Sequence, residues 1–232
     1  MLIEIFDTDY TKYINLLGTA HFTKRSFLEA INAVKNTKTQ DLAIELDIER
    51  FNLMNRQCIS CPRRENCFSN CEFVAASEAL GNTNANIWLI DMSESQMKER
   101  MKKLVKLGNF TDQIYISGIR EENLHRLWEQ GFKNEVIRRF NEKLDEYRRI
   151  TPSFWRILIK ERNVLMSARL AEIISKKLDQ NECPNILALV GAAHVNGIEE
   201  LLKNPILIQK NLKKLDLPYS PPNHIRRIQI KN

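Results

Sequence analysis

The sequence has no apolar run long enough to cross a membrane. Its longest uncharged apolar stretch, residues 186–195, is far shorter than the ~20 residues that a membrane-spanning helix needs. Residues 1–4 lack the basic start and apolar core of a secretory signal, and no low-complexity linker interrupts the chain. These absences predict a cytoplasmic protein without a membrane span. A chain of 232 residues, 43% of them apolar, is long enough for one well-buried domain.

The positive charge of the chain is concentrated at its C-terminal end. The formal net charge is +6, and residues 205–232 carry six lysines and arginines against one acid. A basic segment can contact phosphates or an acidic partner, but the rest of the chain is nearly neutral. We therefore predict a basic C-terminal tail over residues 205–232, solvated or folded back as an edge element. We do not expect nucleic acid to be the main partner.

Histidine is scarce, and two of the four histidines end the same local pattern. Residues 14–21 (INLLGTAH) and 187–194 (LALVGAAH) are apolar runs that end in Gly-x-Ala-His, and a helical pattern follows each. If the runs are neighbouring strands, His21 and His194 lie beyond the strand carboxyl ends, where open α/β sheets bind ligands. Imidazole binds divalent metals and transfers protons near neutral pH. The repeat predicts a metal or acid–base site; the alternative is that each histidine only bonds to its own loop.

The elements around these motifs predict an α/β fold. Residues 41–47 and 86–91 are further apolar strands, and the strand–helix–strand spacing implies parallel pairing. We expect a mixed, partly parallel central sheet with helices on both faces and a mostly helical middle insertion. The predicted organisation is one domain over residues 1–204, with a cysteine-rich insertion at 58–71 and a helical region at 121–180.

Local signals also predict where individual elements begin and end. Residues 2–6 and 13–17 form an expected starting hairpin, and Ser26 fits the capping box of a helix over residues 26–35. Ser93 is the expected cap of a helix that reaches about residue 107. Thr151-Pro152 opens a helix that extends to about residue 178. Its predicted inward residues are Ile157, Leu158, Val164, Leu165, Ala168 and Leu170.

Charged residues within apolar surroundings are the next candidates for a site. Glu45 lies near the end of the second predicted strand, where it either faces the crevice or forms a structural ion pair with a partner such as Arg50. A carboxylate in the crevice could bind a metal or act as a base. Glu161 and Arg162 are adjacent on a helix and therefore point in different directions, so one of them is expected to reach inward.

Four of the five cysteines lie within fourteen residues, at Cys58, Cys61, Cys67 and Cys71. In a cytosolic chain this density favours a metal over disulfides. Structural zinc on four thiolates is the first expectation and an iron–sulfur cluster the alternative, with disulfides or free thiols also open. A four-thiolate site leaves no open coordination position, so we do not expect catalysis there.

Taken together, the motifs resemble those of the TraB/TIKI superfamily, which includes the TraB, PrgY, GumN and erythromycin-esterase-like proteins. Five segments in order, across residues 14–198, carry the resemblance. They are Gly18-Thr19-Ala20-His21 with Ser26, Glu45-Leu46-Asp47-x2-Arg50, Asp91 with Arg100, Glu161-Arg162-Asn163 with Met166, and Val190-Gly191-Ala192-Ala193-His194-Val195-x-Gly197-Ile198. Met92 and Met97 depart from the arginine and threonine that are frequent in the family.

The resemblance implies an α/β fold with both histidine loops and an acidic residue in one pocket. TIKI members are described as metal-dependent proteases, and PrgY-type members block a peptide pheromone. Transferred residue by residue, the resemblance implies a metal or acid–base pair, a catalytic group and substrate contacts. The metal or acid–base pair is His21 and His194. The catalytic group is Glu45, Glu161 and Arg162, and the substrate contacts are Arg50 and Ser26.

The first functional hypothesis is a metal-dependent hydrolase, a peptidase above all, with manganese, cobalt or zinc at the histidine pocket. A glutamate would take a proton from the bound water, and Arg162 would stabilise the oxyanion. The alternative is a regulatory protein that binds a peptide or small anion without turnover. A third reading makes the cysteine cluster a redox or iron sensor. The sequence leaves the substrate, whether peptide or small molecule, and the oligomeric state open, a homodimer included.

Overall fold

The fold is built on one five-stranded sheet. The computed structural model describes residues 7–21, 23–60, 71–81, 85–106 and 121–226. The strands lie in the order β1-β4-β2-β3-β5. They are β1 (Ile14–Thr19), β2 (Asp41–Ile44), β3 (Asn86–Leu89), β4 (Ile186–Gly191) and β5 (Asn223–Ile225). The first four are mutually parallel, and β5 runs antiparallel to β3 at the edge. The predicted mixed, partly parallel sheet is confirmed.

Helices cover both faces of this sheet. They are α1 (Lys24–Thr37), α2 (Ile48–Ser60), α3 (Glu72–Ala79), α4 (Glu94–Lys106), α5 (Glu121–Glu129), α6 (Lys133–Ile150), α7 (Pro152–Trp155), α8 (Arg162–Asp179), α9 (Val195–Lys203) and α10 (Ile206–Leu215). A π-helical turn, Arg156–Glu161, joins α7 to α8. A short 3₁₀ turn, Thr11–Tyr13, precedes β1.

Two hydrophobic clusters lie on opposite faces of the sheet. In β4, Ala188 and Val190 join the cluster that includes residues of α8, α9 and α10, whereas Leu187 and Leu189 join the cluster with α1 and α3. Alternate residues of a strand point to opposite faces, which explains this division. Because β2 and β4 are buried along their whole length, both read in the sequence as continuous apolar runs.

The start of α1 differs from the prediction. Thr23, not Ser26, is the N-cap: its extended backbone precedes the helix and its hydroxyl accepts from the Ser26 N–H at 3.2 Å. Ser26 lies inside the first turn, fully buried, and its hydroxyl has other partners. The predicted cap at Ser93 is confirmed, since its hydroxyl accepts from the Gln96 N–H at 3.1 Å.

The long helix opened by Thr151 and Pro152 also differs from the prediction at one position. Leu158, predicted to face inward, is 41% exposed, whereas Ile157 is fully buried. Leu158 lies in the π-helical turn, whose wider spiral changes the direction of successive side chains relative to an α-helix. A 3.6-residue period extended through this turn therefore places Leu158 on the wrong face.

Part of the predicted basic tail belongs to the folded body. Within residues 205–226, α10 and β5 are formed, and Ile208, Leu215 and Leu217 are buried in the main hydrophobic cluster. Residues 227–232, like the predicted strand at residues 2–6, lie outside the described residues. Among the described residues, no helix combines the length and apolar character that a membrane crossing requires.

Candidate active site

The two histidine loops meet at the carboxyl end of the sheet. Strands β1 and β4 are direct neighbours, with Gly18 opposite Val190 and Thr19 opposite Gly191. A Cβ placed on Gly191 would lie 3.2 Å from His21 Nε2, 3.4 Å from Glu45 Oε2 and 3.7 Å from His194 Cδ2. Three predicted site residues therefore converge on one glycine. The sequence prediction that both imidazoles face one crevice agrees with this geometry.

Each of the four parallel strands delivers a polar side chain to this edge. His21 and His194 follow β1 and β4, Glu45 directly follows β2, and Asp91 lies two residues beyond β3. The carboxyl ends of parallel strands lie at the same edge of a sheet, so the topology brings these residues together. The site depends on the strand order, because β4 lies between β1 and β2 and the ends of these strands are therefore close together.

His21 is held by a buried carboxylate. Its Nδ1 lies 2.5 Å from Glu72 Oε1, and the Thr19 hydroxyl donates to the same oxygen at 3.0 Å. Burial acts to lower the pKa of His21, but the bond to Glu72 and the nearby Glu45 charge outweigh it, so the pKa is raised. Burial acts to raise the pKa of Glu72, and the bond to His21 reverses this into a lowering. The pair therefore favours an imidazolium beside a carboxylate.

His194 has a neutral partner instead. Its Nδ1 lies 2.5 Å from the amide oxygen of Asn163, and its Nε2 lies 3.5 Å from Glu45 Oε1. Only 4% of the His194 side chain is exposed, against 40% for His21. Burial lowers the pKa of His194, and the Glu45 charge does not compensate for it. The two histidines are thus shifted in opposite directions.

Glu45 is held by the protein on both oxygens. Oε2 accepts from the Gly191 backbone N–H, and Oε1 accepts from Arg162 Nη2. Arg162 also binds the fully buried Asp91 through Nε and Nη2, at 2.9 and 2.6 Å. Burial acts to raise the pKa of Asp91, but the Arg162 charge outweighs it and the pKa lies far below its usual value.

Arg50 reaches the same carboxylate from the other side. Its Nη2 donates to Asp91 and to the Met92 carbonyl oxygen, the latter at 3.1 Å, and its Nε binds Asp47. The Arg50 side chain is 28% exposed. Substrate binding by Arg50 remains a prediction. The observed hydrogen bonds of Arg50 connect the segment after β2 to the segment after β3.

Two predicted site residues lie in other surroundings. Glu161 binds Arg100 through both oxygens, at 2.9 and 2.8 Å, and Arg156 at 2.8 Å, and it is not among the side chains that converge on Gly191. The hydroxyl of Ser26 accepts from the Ala20 N–H at 3.0 Å and from Trp128 Nε1 at 2.9 Å. Ser26 therefore supports the backbone of the first histidine loop.

The helical middle region covers both loops. Leu124, Trp128 and Val136 of α5 and α6 form one hydrophobic cluster with Ala192, and Ala20 packs against it. Glu129 at the end of α5 accepts from the backbone N–H groups of Lys24 and Arg25, the first two residues of α1. Helices α5 and α6 therefore pack against the small alanines of the two loops.

Sequence reasoning gave no role to Glu72 and Asn163, although both bind a site histidine. Glu72 directly follows the cysteine block, which is predicted to be an insertion. For this reason the sequence does not single out Glu72 as a site residue. Asn163 is adjacent to Arg162, and the charged Glu161 and Arg162 are the more obvious site candidates in this segment. An Asn on the inward side of an apolar helix was the one available signal, because a buried amide requires partners.

The cysteine prediction falls largely outside the described residues. Cys61 and Cys67 lie there, and of Cys58 only its position in α2 is described. Cys71 precedes α3, and its sulfur lies 3.4 Å from that of Met54. Zinc or iron–sulfur binding by the four thiolates stays a prediction, which the ultraviolet–visible spectrum and metal content of anaerobically purified protein test. Within the described part of the chain, no three His, Cys, Asp or Glu side chains are grouped so that they could hold a metal ion.

Comparison with known proteins agrees with the resemblance seen in the motifs. The sequence is 24% identical over 222 residues to an uncharacterized protein of Methanocaldococcus jannaschii, a match that covers 82% of this chain and 53% of that protein. The chain thus spans about half the length of this curated relative. No solved structure matched. The sequence profile of the TraB/PrgY/gumN family matches residues 78–205, more than half of the chain, and the protein therefore belongs to the TraB/PrgY/gumN family.

Proposed function

We propose that this protein is a hydrolase that cleaves a peptide bond or a related carbonyl bond at the crevice between His21, His194 and Glu45. The observation that carries the proposal is the arrangement of the two imidazoles. Each is held through Nδ1, by Glu72 or by Asn163, and both rings converge with Glu45 on Gly191. Histidines held in this way keep a fixed ring orientation and tautomer.

The opposite pKa shifts divide the work between the two histidines. The neutral His194 would accept a proton on Nε2 from the water that attacks the carbonyl carbon. The cationic His21 would stabilise the developing oxyanion and give its proton to the leaving nitrogen as the carbon–nitrogen bond breaks. Proton exchange with solvent then restores both rings. Environments that push two pKa values apart are typical of an acid and a base acting together.

The oxyanion contact predicted for Arg162 stays a prediction, and the side chain is already bound within the protein. Its Nε and Nη2 bind Asp91 and Glu45, and its Nη1 donates to the Leu158 carbonyl oxygen at 3.2 Å. Each of the three nitrogens therefore donates to at least one oxygen of the protein. In this proposal Arg162 positions Glu45 beside His194 and balances its charge.

A divalent metal is the cofactor that the family resemblance adds to this proposal. His21, His194 and Glu45 are the side chains that would hold manganese, cobalt or zinc, but as they lie here they do not form a group that could bind an ion, and both Glu45 oxygens already accept from the protein. Binding would require these side chains to move and His21 to be neutral, so the ion is an alternative to the acid–base pair of His21 and His194. Glu72 and Asn163 would serve as the outer partners that metal-binding histidines usually have. When bound, the ion would lower the pKa of a water molecule and make it a stronger nucleophile.

The test is cleavage of a peptide mixture, followed by mass spectrometry, with chelator and with added manganese, cobalt or zinc. Wild-type protein is compared with His21→Ala, His194→Ala and the control His224→Ala. The ring of His224 lies tilted against Trp88 of β3. We expect cleavage by the wild type and the control and its loss in both pocket variants. Unchanged cleavage by folded His21→Ala and His194→Ala would contradict the proposal, and the chelator arm decides the metal dependence.

A non-catalytic binding protein is the second candidate. The observation in its favour is that Glu45 and Asp91 are already bound by arginines, and that the His21 side chain, 40% exposed, is far more accessible than Glu45, Asp91 or His194. Such a site suits a peptide carboxylate or a small anion. A thermal shift induced by a peptide that depends on His21, without any cleavage product, would favour this candidate over the hydrolase.

A further inference from the structure

The glycine in the first turn of α9 has no local reason to be there. Gly197 is the third residue of α9, and its backbone does not have the positive φ that only glycine tolerates well. Glycine inside a helix is less favourable than alanine because it loses more conformational entropy on folding. A compensating contact outside the helix must therefore explain it.

That contact is the side chain of Asn163. A Cβ placed on Gly197 would lie 2.1 Å from Asn163 Nδ2 and 3.1 Å from Asn163 Cγ. Real Cβ atoms do not approach other heavy atoms to 2.1 Å, so any larger residue would push the amide away. Asn163 is 8% exposed and His194 3%, which leaves the amide little room to settle elsewhere.

The other end of the same amide binds the catalytic histidine of the proposed function. With its nitrogen against Gly197, Asn163 presents its oxygen to His194 Nδ1 at 2.5 Å. An amide oxygen only accepts hydrogen bonds, so Nδ1 must carry the hydrogen. We propose that Asn163, seated against Gly197, is a positioning residue that fixes His194 in the tautomer with hydrogen on Nδ1 and the lone pair on Nε2.

This tautomer determines what His194 can do. With the lone pair on Nε2, the ring presents an acceptor towards the Glu45 side of the crevice, where its Nε2 lies 3.5 Å from Oε1. In the other tautomer, Nε2 would carry a hydrogen and donate it to Glu45, and the base would be lost. Neutral histidine in water favours hydrogen on Nε2, so the protein has to impose the reverse. The inference rests on the proposed function only where it calls His194 the base.

A double-mutant cycle tests the contact without any assay of activity. Gly197→Ala alone is expected to lower the melting temperature, because the new methyl group displaces the Asn163 amide. In the Asn163→Ala background the same change is expected to raise it, because the clash is gone and alanine favours the helix. An equal loss in both backgrounds would overturn the proposal. Asn163→Ser serves as the background if Asn163→Ala does not fold.

The tautomer itself is read from ¹⁵N chemical shifts of the histidine rings at a pH where His194 is neutral. We expect a protonated Nδ1 in the wild type, in Asn163→Asp, which keeps an oxygen acceptor, and in the control Asn211→Ala on α10. Asn163→Ala and Gly197→Ala are expected to move the hydrogen to Nε2. An unchanged His194 signature in both variants would overturn the proposal. A changed signature in a protein that cleaves nothing would leave this inference standing and remove the hydrolase.

Discussion

His21 and His194 end two loops of the same design, and their partners make them different. A buried carboxylate binds the ring of His21, and a neutral amide binds that of His194. A carboxylate stabilises the charged imidazolium, whereas burial beside an amide disfavours it. At the scale of single residues, the two similar loops therefore hold histidines whose pKa values are shifted in opposite directions.

Replacing Glu72 by glutamine is expected to make stability depend less on pH. The raised pKa of His21 means that the pair stabilises the protein fully below the ordinary histidine value of 6.5 and loses this as pH rises through the folded pKa. The lowered pKa of Glu72 means that the contribution is present above 4.5 and is lost as pH falls further. The difference in melting temperature between wild type and Glu72→Gln should therefore be largest between these two values.

Melting curves from acid to mildly alkaline pH provide the measurement, and Glu182→Gln is the control because Glu182 binds a lysine and no histidine. A difference that stays constant across the whole pH range would show that His21 and Glu72 are not linked in this way.

The two loop glycines are expected to respond differently to an added methyl group. At Gly18 the Cβ would lie 2.8 Å from Val195 Cγ2 and 3.3 Å from the Ala192 backbone, so Gly18→Ala should cost about 1–3 kcal/mol by overpacking. At Gly191 the nearest atoms are the side-chain ends of His21 and Glu45, which can yield slightly. The Gly191→Ala variant is expected to have the same free energy of unfolding as the wild type and to lose peptide cleavage or ligand binding.

Denaturant unfolding together with the peptide assay separates the two effects. Full activity in Gly191→Ala would place the reacting atoms elsewhere than the space beside this glycine.

At the scale of elements, a buried ion pair joins three separate helical segments. Glu161 in the π-helical turn binds Arg100 of α4, and Arg100 donates to the Leu215 and Asp216 carbonyl oxygens at 2.7 and 2.9 Å. These carbonyls lie at the end of α10, where the helix leaves its last acceptors unsatisfied. The Glu161 side chain is fully buried and that of Arg100 is 9% exposed. The contacts link α4 and α10 through the turn before α8.

Glu161→Gln is expected to destabilise the protein by about 3 kcal/mol, because it leaves a buried arginine without its counter-charge. Urea unfolding measures this, and the cleavage rate per folded molecule should stay near that of the wild type. A large loss of rate at unchanged stability would instead support the catalytic role that the family resemblance implies for Glu161.

At the scale of the whole molecule, the C-terminal segment completes the fold. Strand β5 pairs with β3 at the sheet edge, and α10 contributes Ile208 and Leu215 to the main cluster. The basic residues that made this segment read as a tail include the exposed Lys210, Lys213 and Lys214 of α10. The charge pattern of the sequence identifies the exposed face of such a helix but does not reveal the face that is buried.

Truncation after residue 204 is expected to abolish cooperative unfolding. Burial of each large apolar side chain contributes about 1.5–3 kcal/mol, so the loss of Ile208, Leu215 and Leu217 approaches the ~5–15 kcal/mol stability of a typical domain. Thermal melting followed by circular dichroism tests this. Lys213→Gln, which changes only charge on the exposed face, should melt like the wild type, and a truncated chain with a normal melting transition would contradict the expectation.

The amino-acid sequence by itself determined the four parallel strands, most helix positions and the two histidine loops, but not the edge strand β5. These follow from local patterns: continuous apolar runs for β2 and β4, a hydroxyl cap at Ser93, and glycine before each loop. It also pointed to Glu45 and Arg162, which the structure brings together. Such features depend on neighbours along the chain, and the physical chemistry of a short segment specifies them.

The tertiary structure alone decided which partner each of these side chains has. His21 pairs with Glu72 and His194 with Asn163 across 51 and 31 residues of sequence, and Glu161 turns to Arg100 instead of the pocket. Nothing in the local pattern separates one buried polar residue from another, because the choice depends on strand order and on how the π-helical turn rotates α8. The sheet brings the two loops together, and the side chains packed around them raise the pKa of His21 and lower that of His194.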